Sequence, residues 1–258
     1  MTFIENAHLR GLAVLIVLAS HTDSFGMYAQ GSLGVLLFFF LSGYVLSVPF
    51  AEEPREIMSM EQIRRYSVNR ILRIVPIYIV LAAVTAVMLG TDFKWYVWNI
   101  SFVKGWMHFW SVAEEARFYI LFPVVMALLA FVRNRPLRIV VLICLVFFAY
   151  RYRGIHKIDM MDGRHVGFYF YMFLGGCLTC FLVASSSLRR WLDNGYTKRL
   201  FSLATALIFL FLFFSSSYMI KHLWHPIFPA LPENFSMNGW RIPDIWLLLF
   251  VIFFFDFL

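Results

Sequence analysis

Three short stretches carry the side chains able to do chemistry in an otherwise apolar sequence. The first, residues 9–21, reads LRGLAVLIVLASH, with a guanidinium at Arg10 and an imidazole at His21. Eleven helical steps of about 100° come to roughly 1100°, within about 20° of whole turns, so these two side chains share one helix face. A rise of about 1.5 Å per residue sets them roughly 16 Å apart along the axis. In a membrane helix such groups are costly unless they face a polar cavity, and a neutral imidazole in a water-restricted cavity is a good general base for a hydroxyl. The competing reading has Arg10 snorkelling to the headgroups and His21 capping the outer end of the helix beside Thr22, Asp23 and Ser24.

The second stretch is NRILRIVPIY, residues 69–78. Arg70 and Arg73 are three apart, on adjacent positions of one face at the expected cytoplasmic start of a helix. Two guanidiniums presented together suit a phosphate or pyrophosphate; as a topology signal they would be positive-inside anchors. The third, WSVAEEARFYILFP at residues 110–123, puts Glu115, Phe118, Tyr119 and Phe122 on one side of a helix. Glu114 and Arg117 can pair at i, i+3, which leaves Glu115 without an obvious local partner. Such a carboxylate either orients or accepts in a cavity, or suits the positive end of the helix dipole. Two further patterns read as packing. Gly31, Gly34, Ser42 and Gly43 run along the second apolar helix, where small residues allow close approach. Cys177 and Cys180 form a C-x-x-C inside FLGGCLTCFL with no His or carboxylate beside them, so a redox or zinc pair is not expected.

The elements that must position these groups are apolar helices. Of 258 residues 61% are apolar and 14% charged, against roughly 25% charged in soluble domains, so the expected solvent is lipid. The 30 Phe, 12 Tyr and 8 Trp suit a polytopic membrane protein with interfacial aromatic anchors. The first apolar run lacks a preceding basic stretch and a closing cleavage site, so it is expected to stay in the mature chain. A net charge of +7 falls in short loops between apolar runs, which argues against nucleic acid as a partner.

Helices are expected at about 9–25, 33–50, 71–89, 110–132, 139–150, 166–184, 200–220 and from 244 onward, with a polar connection at 51–70. A Trp-rich connection between the third and fourth is expected to lie in the membrane interface. The fold class is therefore all-α: a polytopic transmembrane helix bundle of about eight helices, one domain over residues 1–258, with no internal repeat. With the N-terminus cytoplasmic, inside segments carry 13 Lys and Arg against 9 outside, which favours that orientation.

Taken together and in order, these motifs resemble the acyltransferase-3 family of integral membrane acyltransferases acting on cell-envelope and other glycans. The matching pieces are R-x10-H (Arg10, His21), G-V-x-x-F-F-x-L-S-G-Y (Gly34 to Tyr44), R-x-x-R-x-x-P (Arg70, Arg73, Pro76) and W-S-x-x-x-E-x-x-F-Y (Trp110 to Tyr119), with FYFYMFLGGCL around Gly175 like a later F-x-x-G stretch. Asn6, Ala7 and His8 stand where an acidic residue and Gly are commoner. Family members usually have about ten membrane helices, so further C-terminal helices are expected beyond residue 258.

The resemblance implies acetyl-CoA, or another acyl-CoA, as donor cosubstrate, with no metal. It implies a carbohydrate or glycoconjugate acceptor, and membrane lipid around a multi-pass protein of a bacterial inner membrane. On that reading Arg70 and Arg73 hold the CoA phosphates, Arg10 faces the donor side closer to the thioester, and His21 acts as general base or acyl relay. Glu115 is the third catalytic candidate, while Trp110, Ser111 and Tyr119 orient the substrate. The separation of Arg10 and His21 roughly matches a pantetheine arm. A transporter or flippase for a lipid-linked or glycan substrate is the alternative from another class, with Arg10, His21 and Glu115 as its translocation path.

Overall fold

The computed structural model describes residues 10–11, 13–18, 31–102, 109–155, 167 and 169–184. His21 and the expected helices at 200–220 and from 244 lie outside them. Among the described residues all regular structure is helical: α1 (helical at residues 10–11 and 13–18), α2 (Gly31–Ser47), α3 (Met60–Leu89), α4 (Phe93–Ile100), α5 (Trp110–Phe131), α6 (Arg135–Ile155) and α7 (Phe170–Val183). Two short 3-10 turns, Val48–Phe50 and Pro54–Met58, join α2 to α3.

Local chemistry explains the boundaries. Pro49, with no N–H to donate, closes α2 into the first 3-10 turn. Ser59 caps α3 by accepting the Gln62 N–H at 3.2 Å, and Gly90, in the left-handed region at φ 61°, ends it with its N–H turned back on Ala86 and Val87. Asp92 accepts the Trp95 N–H at 2.8 Å and so opens α4. The last turn of α5 is held by two guanidiniums: Arg55 Nε donates to the Ala130 carbonyl at 3.1 Å and Arg138 Nε to that of Val132 at 2.7 Å. Carbonyls at a helix end lack intrahelical donors, and cations there suit the dipole.

Three expectations are corrected. The polar segment 51–70 is not all connection, because α3 begins at Met60 and runs unbroken for 30 residues with Pro76 inside it. Its buried residues Tyr66, Ile74, Tyr78 and Ala82, with half-buried Arg70 in the series, recur every four positions and make one inward stripe. The charges of EQIRR lie on the other side, so the segment is amphipathic. Arg70 consequently stands ten residues, about 15 Å, beyond the helix start and not at it. The sixth element, α6, is a full 21 residues where 139–150 was expected, since its arginine-bearing ends continue the helix. The Trp-rich connection folds in part into α4.

Among the described residues one helix, α3, is long and apolar enough to cross a membrane, and α2 and α7 are shorter apolar helices. Both α5 and α6 have spanning length but carry charged residues within their ends.

The chain divides into two compact units, Met1–Val45 with Gly175–Leu258, and Leu46–Leu174. In the first, α1 and α2 approach at Gly34, where a Cβ would fall 2.6 Å from the Ala13 carbonyl oxygen. Further along, α2 meets α7 backbone to backbone: a Cβ on Gly176 would lie 2.0 Å from the Phe40 oxygen. Cys177 Sγ lies 3.5 Å from the Gly43 oxygen, and Cys177 and Cys180 are buried free thiols. These contacts bear out the packing readings of Gly34 and of the C-x-x-C. In the second unit the core is aromatic. Phe118 stacks on Phe173 at 4.2 Å, Phe122 lies against Tyr66 at 5.6 Å and Phe50 at 6.0 Å, and Tyr150 meets Tyr171 edge-on at 5.6 Å.

Candidate active site

The motif residues of the second unit converge where α3 and α5 pack antiparallel. Tyr66 meets Phe122, Arg70 meets Tyr119, and Tyr78 meets Phe109, so moving up α3 moves down α5. At that register Arg73 comes level with Glu115.

On α5, Tyr119 Oη donates to Glu115 Oε1 at 2.5 Å, both residues being buried. Glu115 thus finds a local partner one turn along, which the spacing alone did not single out. The Glu114–Arg117 pair forms as the i, i+3 spacing suggests, with Glu114 fully buried. Arg117 Nε also donates to the Phe102 carbonyl at 2.9 Å. Phe102 has a left-handed backbone, φ 56°, a conformation unfavourable for a bulky side chain. Its ring stacks on Tyr78 at 4.8 Å, and the Tyr78 hydroxyl donates to the Asn99 carbonyl at 3.2 Å. The ion pair therefore braces the entry to α5 against α3 and α4.

Arg70 is the more enclosed of the two cations of the cluster. Its guanidinium stands 5.4 Å from the Tyr119 ring centroid and 5.8 Å from that of Tyr66, so two ring faces attract it. Its Nε is buried without a hydrogen-bond partner among the described residues. Arg73, one turn on, is exposed, and the charges of both arginines act on Tyr119. Tyr66 completes the group by donating its hydroxyl to the Tyr119 carbonyl at 2.9 Å. Sequence reasoning did not single out Tyr66. The signal available was its place four residues before Arg70 on the stripe that continues to Ile74, Tyr78 and Ala82.

The remaining motif residues fall elsewhere. Trp110 opens α5 with its ring 5.1 Å from that of buried Tyr169, and Ser111 beside it is half-buried. Arg10 belongs to the other unit, where its guanidinium stands 5.7 Å over the Phe38 ring. The cluster that the described structure brings together is thus Arg70, Arg73, Glu115 and Tyr119, with Tyr66 added. Chemically it offers guanidinium donors to an anion beside a carboxylate–phenol pair able to orient a hydroxyl.

A family model described as an acyltransferase domain matches residues 7–257, nearly the whole chain. No curated protein and no solved structure matches it.

Proposed function

The chain belongs to the acyltransferase-3 family, a family of acyl-transferring enzymes, and from that premise we propose an integral membrane O-acyltransferase. It moves an acetyl or other acyl group from acyl-CoA to a hydroxyl of a carbohydrate or glycoconjugate. The observation that carries the donor side of this reading is the setting of Arg70. A guanidinium braced between two ring faces, with a buried Nε left unpartnered among the described residues and a second arginine one turn away, has donors in reserve for a phosphate. CoA supplies a pyrophosphate and a ribose phosphate for that pair.

In the proposed reaction His21 takes the proton of the acceptor hydroxyl as its oxygen attacks the thioester carbonyl. The new C–O bond forms, the C–S bond breaks, and CoA leaves as a thiolate that recovers the proton from the imidazolium. Arg10 faces the donor side. Glu115 and Tyr119 orient the acceptor, and Trp110 and Ser111 line the acceptor side. Several helices embed the enzyme in a bacterial inner membrane with the N-terminus cytoplasmic, so the transfer runs across the bilayer.

The test is label transfer. Acetyl-labelled acetyl-CoA, given to membranes carrying the protein, should deliver label to glycan, and His21→Ala should abolish that delivery while the protein still folds. A folded His21→Ala protein acetylating at the wild-type rate would remove His21 from the mechanism. Absence of label on any glycan with the wild-type protein would overturn the proposed reaction.

A further inference from the structure

We infer that Tyr66 is a positioning residue for the Arg70, Tyr119 and Glu115 cluster, because it supplies to α5 the hydrogen bond that Pro123 withholds. In a regular α-helix the Tyr119 carbonyl accepts the backbone N–H of residue 123. Residue 123 is proline and lies inside α5, so that donor is missing and the pyrrolidine ring crowds the carbonyl four residues back. The open carbonyl is met from α3, where Tyr66 Oη donates to it at 2.9 Å in a buried setting. A buried carbonyl left open would cost stability, so a substitute donor is needed at this point.

The same side chain does two further things. Its ring stacks on Phe122, the residue just before Pro123, at 5.6 Å and 21° between planes. It also lies beneath the Arg70 guanidinium at 5.8 Å. Tyr66 thereby fixes the backbone of residue 119, whose own hydroxyl donates to Glu115, and forms part of the floor under the cation. Phenylalanine at position 66 keeps the floor and loses the donor, while leucine loses both. The functional side of this inference rests on the acyl-transfer reading of the cluster; the hydrogen-bond side does not.

The experiment is a double-mutant cycle on the full protein in membranes and in detergent, with Tyr66→Phe, Pro123→Ala and their combination. Alanine at position 123 restores the N–H, so the 119–123 bond closes and the Tyr66 hydroxyl becomes dispensable. Tyr66→Phe should lower kcat for acetyl transfer about five- to tenfold while the KM for acetyl-CoA stays within about twofold, because the ring under Arg70 remains. The double variant should return to within about twofold of Pro123→Ala. Tyr66→Leu should in addition raise the acetyl-CoA KM. In thermal melts Tyr66→Phe should lower Tm by about 2–4 °C when Pro123 is present and not when it is combined with Pro123→Ala. A double variant as slow as Tyr66→Phe, or an equal melting loss in both backgrounds, overturns the inference. Should the wild-type protein move no label from acetyl-CoA, the enzymatic reading falls alone, and the melting cycle still decides whether Tyr66 serves the Tyr119 carbonyl.

Discussion

Arg70 and Arg73 are one helical turn apart, yet their surroundings differ enough to separate their contributions. Arg70 is half-buried over two tyrosine rings, whereas Arg73 is exposed. A planar guanidinium can stack on ring faces and still offer in-plane donors; an ammonium keeps the charge and loses the fork. Arg70→Lys is therefore expected to raise the KM for acetyl-CoA by roughly ten- to a hundredfold, in keeping with about 1.5–3 kcal/mol for a hydrogen bond to a charged group. Arg73→Lys, which retains a mobile charge at an exposed position, should change it less than about threefold. Initial rates against acetyl-CoA concentration for the two variants check this, and equal, negligible effects would make both arginines topology anchors. The same contrast shows what was legible residue by residue. The Glu114–Arg117 pair was readable because its two members are three apart on one helix. The role of Tyr66 was not, because its partner is 53 positions away and only the packing of α3 on α5 reveals it.

Among the elements, α2 and α7 show how glycine sets the distance between helices. Their backbones approach so closely at Gly176 that a methyl group there would lie 2.0 Å from the Phe40 oxygen and 2.7 Å from the Tyr44 nitrogen. Neither obstacle is a flexible side-chain tip, so the helices would have to part. Gly176→Ala should cost about 1–3 kcal/mol, read as a lower melting temperature of the detergent-solubilised protein. Gly11→Ala is the internal control: it has nothing within 4 Å of the added carbon and removes a flexible residue from helical backbone, so it should cause no loss. Melting changes of equal size in the two variants would mean that close approach is not what Gly176 provides. The small-residue pattern of α2 was visible in the sequence, as was the position of α5. The start of α3 was not, since a charged, amphipathic first third reads as a loop when hydropathy alone is followed. Its four-residue stripe, Tyr66 to Ala82, was the better guide, because burial follows the face and not the mean polarity.

At the scale of the whole molecule, the outward side chains of the described helices suit an apolar surrounding. Leu72, Ile77, Val80, Val87 and Met88 of α3, Ile120, Val124 and Phe131 of α5, and Ile143, Phe147 and Phe148 of α6 are all exposed. A coat of this kind in water would be a standing aggregation surface, whereas in lipid it costs nothing. Composition alone had pointed to that solvent. The crossing itself can be tested on α3, whose 30 residues reach about 45 Å against roughly 30 Å of hydrocarbon. Its two ends are marked by exposed residues, Glu56 before it and Lys94 after it. In a chain with its three cysteines replaced, Glu56→Cys should react with a membrane-impermeant maleimide only in inside-out vesicles, and Lys94→Cys only in right-side-out ones. That outcome would put Arg70 on the donor side of the bilayer, about 15 Å along α3 from its cytoplasmic end, within reach of a soluble CoA ester. Labelling of both positions from one face would mean that α3 does not cross. Reversed labelling would turn the arginine pair toward the face that holds no CoA and remove the donor site with it.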